Sequence, residues 1–259
     1  MLRIEDHDRE RCKPEYETAI LADLDWLGFA PDVFPTSAFR AGRCDGRQSD
    51  RHHVYAAAAQ ELVERGLLYG CSCTRRGIAT VQETAGPEGP ASIPASNNDE
   101  LRYLGTCRER GLALGEGVTW RLRIEPGTET FDDLILGPQV QDPAVQCGDV
   151  AIRDRKGNWT YQFVAAVDDF RQGVDLIVRG RDLLASTGRQ IRIARLLGRE
   201  TPASFAHHAL IMKSSAQKLS KSDGDTGVKD LRAAGWTREQ VLIAALKTIQ
   251  NPSNPSIFM

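Results

Sequence analysis

A short segment with two lysines and two serines carries the strongest chemical pattern in this sequence. Residues 217–224 read Q-K-L-S-K-S-D-G, and they follow an apolar run at residues 209–212 that predicts a short buried strand. A loop at the carboxyl end of a parallel strand lies where open α/β sheets bind ligands. The charges of Lys218 and Lys221 and the hydroxyl of Ser220 would there suit phosphate. A solvated basic loop also fits, because short motifs match by accident.

Cysteines form the second candidate site. Six are present, at positions 12, 44, 71, 73, 107 and 147. Cys71 and Cys73 form a C-x-C pair, and a helix predicted to start at residues 98–100 would place Tyr103 and Cys107 on one face. Three thiolates and a phenol would then converge. Structural zinc sites more often use C-x₂₋₄-C, and a phenol has a pKa near 10, so the spacing alone leaves zinc and unligated thiols equally open.

Alternating helices and strands are needed to position these groups. Helical periodicity and caps predict helices at residues 14–28, 48–65, 159–169, 183–197 and 237–249. Apolar runs predict strands at residues 67–71, 118–124, 130–137, 148–153, 174–178 and 205–212, with loops at 31–47 and 86–98. The strand–helix–strand order over residues 174–212 predicts a βαβ unit and a parallel sheet.

Composition bounds the class of protein. The chain has 259 residues, of which 41% are apolar and 26% charged, as in a soluble globular enzyme of one large or two modest domains. We expect no membrane span and no signal peptide, since no apolar run is long enough, and the predicted compartment is the cytoplasm. Because the net charge is −2, any contact with RNA must be a local patch.

Several segments resemble one family, the glutamyl and glutaminyl branch of the class I aminoacyl-tRNA synthetases. Residues 218–222 resemble the family's K-M-S-K-S loop. Three further segments match its motifs: residues 3–11 match R-I-E-D-x-D-x-x-R, residues 48–51 match Q-S-x-R, and residues 160–169 match T-Y-x-F-x-x-x-V-D-D. They occur in the family's order and cover nearly the whole chain. Each short match is a weak signal by itself. The occurrence of all four segments in the family's order is a strong signal.

The cysteine pattern resembles one branch of that family. Cys71, Cys73, Tyr103 and Cys107 match, position for position, the zinc site of the glutamyl-queuosine tRNA(Asp) synthetases, which have a catalytic domain only. The resemblance implies a Zn²⁺ ion, and a closed shell of four ligands is structural rather than catalytic. The expected lack of an anticodon-binding domain favours the same branch.

The resemblance implies an α/β fold. It would be a class I synthetase Rossmann-like doubly wound parallel sheet with an inserted zinc-containing subdomain that binds the tRNA acceptor end. Residues 1–71 would form the N-terminal part of the catalytic domain, residues 72–158 the insertion, and residues 159–259 the C-terminal half with the lysine loop. We expect a monomer without membrane contacts.

The implied reaction is ATP-dependent activation of L-glutamate and its transfer to tRNA, with the queuosine of tRNA(Asp) as acceptor. The family residue that matches Glu5 reaches the amino group of the amino acid, and the one that matches Tyr161 lies against it. Without the resemblance, Tyr161 would be assigned to core packing. Arg179 follows a predicted strand, and its guanidinium suits the substrate carboxylate.

The same resemblance assigns ATP, bound with Mg²⁺, to the lysine loop. Lys218, Ser220 and Lys221 are the predicted ATP-binding residues, and the two lysines are the predicted catalytic residues. Their charge would stabilise the triphosphate as negative charge shifts toward pyrophosphate.

Two departures from the family affect the predicted activity. The F-A-P-S-P-x-G strand and the H-x-G-H turn that precede the R-I-E-D segment are missing, and none of the five histidines stands in that context. We therefore expect this chain alone to activate glutamate poorly. The lysine loop is intact although many members of the queuosine branch have lost it. The catalytic domain of an ordinary glutamyl-tRNA synthetase stays open as an alternative, as does a non-catalytic nucleotide- or tRNA-binding protein.

Overall fold

The computed structural model describes residues 1–84, 101–210 and 226–250, with side chains up to residue 247 in the last range. The chain divides into two compact units. One unit joins Met1–Arg51 and His208–Met259, and the other is His52–His207. The predicted domain boundaries at residues 71 and 158 stay a prediction. No helix within the described ranges combines the length and hydropathy that a bilayer crossing requires.

Helices and strands alternate along most of the described chain. The helices are α1 (Pro14–Leu27), α2 (Thr36–Arg40), α3 (His52–Glu64), α4 (Arg75–Thr84), α5 (Pro143–Gln146), α6 (Tyr161–Arg171), α7 (Thr187–Leu196), α8 (Val228–Ala233) and α9 (Arg238–Gln250). The strands are β1 (Leu68–Cys71), β2 (Thr119–Leu122), β3 (Glu129–Asp133), β4 (Gly137–Gln141), β5 (Val150–Arg153), β6 (Leu176–Gly180) and β7 (Ser204–His208). Two 3₁₀ turns, Gln48–Arg51 and Arg181–Ser186, lead into α3 and α7.

Helix ends follow the local signals in the sequence. Pro14 occupies the first turn of α1, and Gly28 ends it with a φ of 74°, a conformation that favours glycine. Before α9, the backbone N–H of Thr237 donates to Gln240 Oε1 at 2.7 Å, and that of Gln240 donates to Thr237 Oγ1 at 3.3 Å. This reciprocal pair is a capping box, so α9 starts where the sequence predicts.

The predicted loop at residues 31–47 contains the short helix α2, and that prediction is wrong at this point. Phe39 on α2 is buried in a small apolar cluster with Ile4 and Leu21. Such a short helix gains its stability from packing rather than from propensity, and packing partners far along the chain are not visible in a local pattern.

A three-stranded antiparallel sheet, in the order β1-β2-β5, forms one side of the main core. The core includes fully buried Leu62 of α3, Leu122 of β2, Ile152 of β5, Phe163 of α6 and Ile193 of α7. Helices α3, α6 and α7 thus share one apolar core with this sheet. The sheet matters for function because β1 ends at the first of the clustered cysteines.

A second, four-stranded sheet has the order β4-β3-β7-β6. β3 and β4 form an antiparallel hairpin, and β3 pairs in parallel with β7 where Asp133 lies opposite Phe205. The α/β class and parallel strand pairing are therefore confirmed. The strand β4 and the helix α4 are elements that the sequence pattern did not predict.

β6 is exposed, whereas the sequence predicts a buried strand. Leu176 and Val178 are 44% and 65% exposed, and they alternate with half-buried Ile177 and Arg179. β6 is last in the strand order of the described sheet, and only one of its faces is covered. An apolar run alone does not reveal which face of a strand has a partner.

β7 is shorter than predicted. It ends at His208, after which Ala209 is exposed and Leu210 is half-buried. The predicted continuation over residues 211–212 lies outside the described residues, as does the whole lysine loop. The described strand still places His207 in the sheet interior, fully buried.

Candidate functional site

The cysteines predicted as ligands form a cluster in the unit His52–His207. The sulfur atoms of Cys71, Cys73 and Cys107 all lie within 4.8 Å of one another. The phenol oxygen of Tyr103 lies 3.3 Å from Cys71 Sγ and 3.9 Å from Cys73 Sγ. The four groups named from the sequence therefore converge, and we call them the thiol–phenol cluster.

Extended backbone, and not a helix, brings Tyr103 to this cluster. Its N–H donates to the carbonyl of Cys147 at 2.9 Å, and it forms an isolated bridge with Gly148. The predicted helix across Tyr103 and Cys107 is therefore wrong, because the bridge holds Tyr103 in a strand-like conformation. A turn still returns the Cys107 N–H to Tyr103 Oη, at 2.8 Å. The predicted loop at residues 86–98 and the helix start at 98–100 lie outside the described residues.

Gly148 is required by this bridge. Its φ is 66°, and a Cβ atom built on it would lie 1.9 Å from the carbonyl oxygen of Tyr103. Any larger residue would push the two segments apart. The guanidinium carbon of Arg121 lies over the Tyr103 ring, 3.7 Å from its centre. The position of the phenol is thus set by packing as well as by backbone bonds.

The ionisation of the thiols is uneven. Burial raises the pKa of Cys107, but hydrogen bonds from the Ser72 amide, Tyr103 and Cys73 outweigh it and lower that pKa to about 6. Burial, with a contribution from Cys107, raises the pKa of Cys73 to about 11. The pKa of the Tyr103 phenol is also raised, chiefly by burial. At neutral pH the cluster therefore contains one thiolate, that of Cys107. Its other groups must lose a proton before they can bind a cation.

The arrangement fits a four-coordinate metal ion. A tetrahedral ion with metal–sulfur bonds of about 2.3 Å holds its sulfur ligands about 3.8 Å apart. Cys73 Sγ and Cys107 Sγ are 3.5 Å apart, and the distances from Tyr103 Oη to the two nearer sulfurs bracket the same value. Three soft sulfur donors favour a thiophilic metal. The cluster can therefore supply the ligands of such an ion.

Arg179 lies in a polar network within the same unit. Its Nε donates to His207 Nε2 at 3.0 Å, its Nη1 to Gln190 Oε1 at 2.6 Å, and its Nη2 to Thr187 Oγ1 at 2.7 Å. The guanidinium carbon lies 5.2 Å from the centre of the Phe205 ring. Three acceptors and one aromatic face therefore fix the orientation of this side chain.

His207 connects that network to a buried carboxylate. His207 Nδ1 and Asp133 Oδ2 lie 2.5 Å apart, and both side chains have no exposed surface. The pKa of Asp133 lies below its usual value, because hydrogen bonds from His207 and from the amides of Leu136 and Ile135 outweigh the effect of burial. A negative charge is thus held inside the protein behind Arg179.

The network also reaches the start of α6, where Tyr161 stands half-buried. Gln190 Nε2 donates to Gln162 Oε1 at 2.9 Å, and Gln162 Nε2 donates to Ser186 Oγ at 3.0 Å. Gln162 follows Tyr161 directly, so the network that holds Arg179 extends to the first turn of α6, where Tyr161 lies.

The other predicted site residues are placed differently. Glu5 belongs to the first unit, is exposed, and accepts a hydrogen bond from Arg3 Nη2 at 3.0 Å. Lys218, Ser220 and Lys221 lie outside the described residues.

An open cavity of about 650 Å³ lies between the cluster and the network. Cys73 lines one part of it, and Gln162 and Arg189 line another. Its remaining charged lining residues are Arg75, Arg121, Asp149, Asp154, Arg155 and Lys156. Five cations against two carboxylates give this cavity a positive balance that the whole chain lacks.

Sequence reasoning missed Asp133, Thr187, Gln190 and His207. None of them lies in a recognisable motif, and Asp133 and His207 are 74 positions apart. The available signal was a histidine inside an apolar strand, which is more often a structural residue than a functional one. Only the parallel pairing of β3 with β7 brings that histidine to its carboxylate.

Comparison with known proteins defines the class. Residues 1–253 match the family model of the class I tRNA synthetases for E and Q, catalytic domain. The chain belongs to this family of class I aminoacyl-tRNA synthetases.

Curated relatives are named more narrowly. The chain is 42% identical over 229 residues to the glutamyl-Q tRNA(Asp) synthetase of Bordetella bronchiseptica, covering 86% of this chain and 64% of that protein. It is 38% identical over 258 residues to the protein of the same name from Geobacter sulfurreducens, covering 97% and 74%. The chain therefore spans about two thirds to three quarters of these relatives.

A solved structure shares the fold. The glutamate tRNA ligase of Elizabethkingia meningosepticum, in complex with its amino acid, superposes with a TM-score of 0.66 at 25% identity. The match covers 86% of this chain and 45% of that one. The class I synthetase fold inferred from the sequence is confirmed by this likeness.

Proposed function

We propose that this protein activates L-glutamate with ATP and transfers it to tRNA, with the queuosine of tRNA(Asp) as acceptor. The single observation that carries the proposal is the fixed guanidinium of Arg179, the residue that the sequence predicts to bind the substrate carboxylate. The names of the curated relatives support the acceptor.

Arg179 and Tyr161 are the proposed glutamate contacts, with Glu5 on the ammonium group. A guanidinium held by three acceptors is preorganised for a planar carboxylate, which it can bind with two parallel hydrogen bonds. A carboxylate such as that of Glu5 suits an ammonium for the same electrostatic reason. Little conformational entropy would be lost at Arg179 when the substrate binds.

The lysine loop is the proposed ATP site. Lys218, Ser220 and Lys221 would bind the triphosphate with its Mg²⁺, and the two lysines would stabilise charge that develops on the departing pyrophosphate. The support for this step is the match of residues 218–222 to the family's K-M-S-K-S loop.

The thiol–phenol cluster is the proposed zinc site. Cys71, Cys73, Tyr103 and Cys107 would supply an S₃O shell with no open position, so the ion would be structural. Zn²⁺ fits best because it accepts tetrahedral sulfur-rich shells and is not redox-active. The short distances among these four groups support the assignment.

The positively charged cavity is the proposed contact for the tRNA. Its wall is built mainly from residues 72–158, the stretch predicted to bind the acceptor end. Phosphates are bound by Lys and Arg with little dependence on sequence, so a local patch suffices in a chain of net charge −2. A cytoplasmic monomer is the form we propose.

Two assays on the full chain test the function. Glutamate-dependent exchange of labelled pyrophosphate into ATP reports activation, and incorporation of labelled glutamate into tRNA(Asp) reports transfer. We expect both at a low but detectable rate, with incorporation into tRNA(Asp) that carries queuosine and none into tRNA(Asp) that lacks it. Charging of tRNA(Glu) instead would identify an ordinary glutamyl-tRNA synthetase. Binding of ATP or tRNA without exchange would identify a non-catalytic binding protein.

A further inference from the structure

Five side chains, including that of Arg179, form one continuous network of polar contacts. It runs from Asp133 through His207 to Arg179, which also donates to Thr187 and Gln190. Thr187 Oγ1 lies 3.2 Å from His207 Nε2 as well. Asp133, Thr187, His207 and Gln190 are all buried, so this arrangement is fixed by the fold and is shielded from water.

The direction of each hydrogen bond follows from the chemistry of arginine. A guanidinium has only donors, so His207 Nε2 must accept the bond from Arg179 Nε and carries no proton. The imidazole proton then sits on Nδ1 and is donated to Asp133 Oδ2. Asp133 therefore selects the tautomer of His207 that Arg179 requires.

The second oxygen of Asp133 is occupied in a way that fixes the carboxylate itself. Asp133 Oδ1 accepts the backbone N–H groups of Ile135 and Leu136, each at 2.9 Å, in the turn between β3 and β4. Oδ2 faces the imidazole and also accepts the backbone N–H of His207 at 3.3 Å. The β3–β4 hairpin thus orients a side chain on β7, and that side chain orients one on β6.

We propose that Asp133 and His207 are positioning residues that hold the Arg179 guanidinium in the orientation that receives a carboxylate of bound glutamate. This inference rests on the proposed function of Arg179. Neither residue touches the substrate in this scheme; they act through the proton on His207 Nδ1. The charge of Asp133 strengthens His207 Nε2 as an acceptor, because linked hydrogen bonds polarise one another in a buried network.

Asp133→Asn is the decisive variant because it changes one atom and reverses the tautomer. The carboxamide oxygen would stay with the two amides of the turn, so that its NH₂ group faces His207 Nδ1. His207 would then have to accept there and carry its proton on Nε2, directed at Arg179 Nε. We expect glutamate to bind about 10- to 100-fold more weakly, as for loss of a hydrogen bond to a charged group, while ATP binding is unchanged.

Two further variants separate positioning from folding. His207→Gln keeps an acceptor near the position of Nε2 and should retain most of the glutamate affinity. His207→Leu removes the acceptor and should lose affinity as Asp133→Asn does. Asp132→Asn is the matched control, since Asp132 is the exposed neighbour on the same strand. It should bind glutamate like the unchanged protein. Equal losses in His207→Gln and His207→Leu would overturn the proposal.

The tautomer can be measured without any substrate. Nitrogen-15 NMR of the full chain should show His207 protonated on Nδ1, and Asp133→Asn should move the proton to Nε2 and speed the exchange of the Arg179 Nε–H. An unchanged tautomer in a folded Asp133→Asn protein would overturn the inference.

Arg179→Ala distinguishes this inference from the proposed function. If Arg179→Ala leaves glutamate binding intact, the proposed site of glutamate is wrong. If Arg179→Ala abolishes binding while Asp133→Asn does not weaken it, the function stands and the positioning role is wrong.

Discussion

Asp133 Oδ2 and His207 Nδ1 lie 2.5 Å apart across the parallel contact between β3 and β7, with no exposed surface on either side chain. The carboxylate is ionised because it accepts bonds from the imidazole and from two backbone amides. This pair therefore ties two strands together by one strong hydrogen bond, and its strength depends on pH.

The first prediction concerns acid stability. A carboxyl whose pKa in the folded state lies below its unfolded value, about 3.9, stabilises the fold above that value, and the contribution is lost as pH falls through the folded-state pKa. Urea unfolding from pH 7 to pH 3 should show a difference in unfolding free energy between the unchanged protein and Asp133→Asn. That difference should stay constant above about pH 5 and shrink below about pH 4. A difference independent of pH would show that Asp133 is neutral in the folded protein.

The second prediction concerns metal content. Purified protein should contain about one zinc per chain, and Cys73→Ser should reduce it sharply, because a structural site needs its four ligands. Chelation should lower the unfolding temperature of the unchanged protein but not that of Cys73→Ser. Cys12→Ser is the matched control, since Cys12 lies in the other unit. Metal analysis well below half an equivalent in the unchanged protein would contradict the zinc assignment.

The third prediction concerns the lysine loop. Lys221→Ala should lower the rate of pyrophosphate exchange about 10²- to 10³-fold, the cost of removing one preorganised donor to developing charge. Its effect on ATP affinity should be much smaller. Lys229→Ala, an exposed lysine of α8, serves as control and should change neither quantity. If affinity falls and the rate at saturation does not, the loop binds ATP without acting in the reaction.

The fourth prediction concerns RNA binding at the charged cavity. Arg75→Ala and Lys156→Ala should each weaken tRNA binding and reduce the slope of log affinity against log salt by about 1. Arg76→Ala is the control, because Arg76 is the exposed neighbour of Arg75 and is absent from the cavity wall. Equal slopes for the cavity variants and the control would place the RNA elsewhere.

Local patterns predicted the helices well. α1, α3, α6 and α9 carry their own caps, glycines or apolar periodicity, so their positions follow from nearby residues. α2 and β4 lack such signals and are stabilised by packing and by strand pairing. β6 was predicted as a strand correctly, but its exposure depends on what covers each face of the sheet.

The candidate site was predictable in part for the same reason. The sequence pattern identified four groups that do converge, those of Cys71, Cys73, Tyr103 and Cys107. The expected helix is absent there, and a β-bridge at Tyr103 followed by a turn brings Tyr103 and Cys107 together instead. His207 was missed because its partner is a sheet neighbour and not a sequence neighbour. The assignment of Glu5 and of the lysine loop stays a prediction.

The hydrogen bond from the Arg102 N–H to Gln82 Oε1, at 3.1 Å, places the two ends of the undescribed stretch at residues 85–100 side by side. A side-chain hydrogen bond therefore fixes the approach of the two segments that carry the thiol–phenol cluster, with Cys71 and Cys73 on the first and Tyr103 and Cys107 on the second. The spacing of these four groups thus follows from described residues alone.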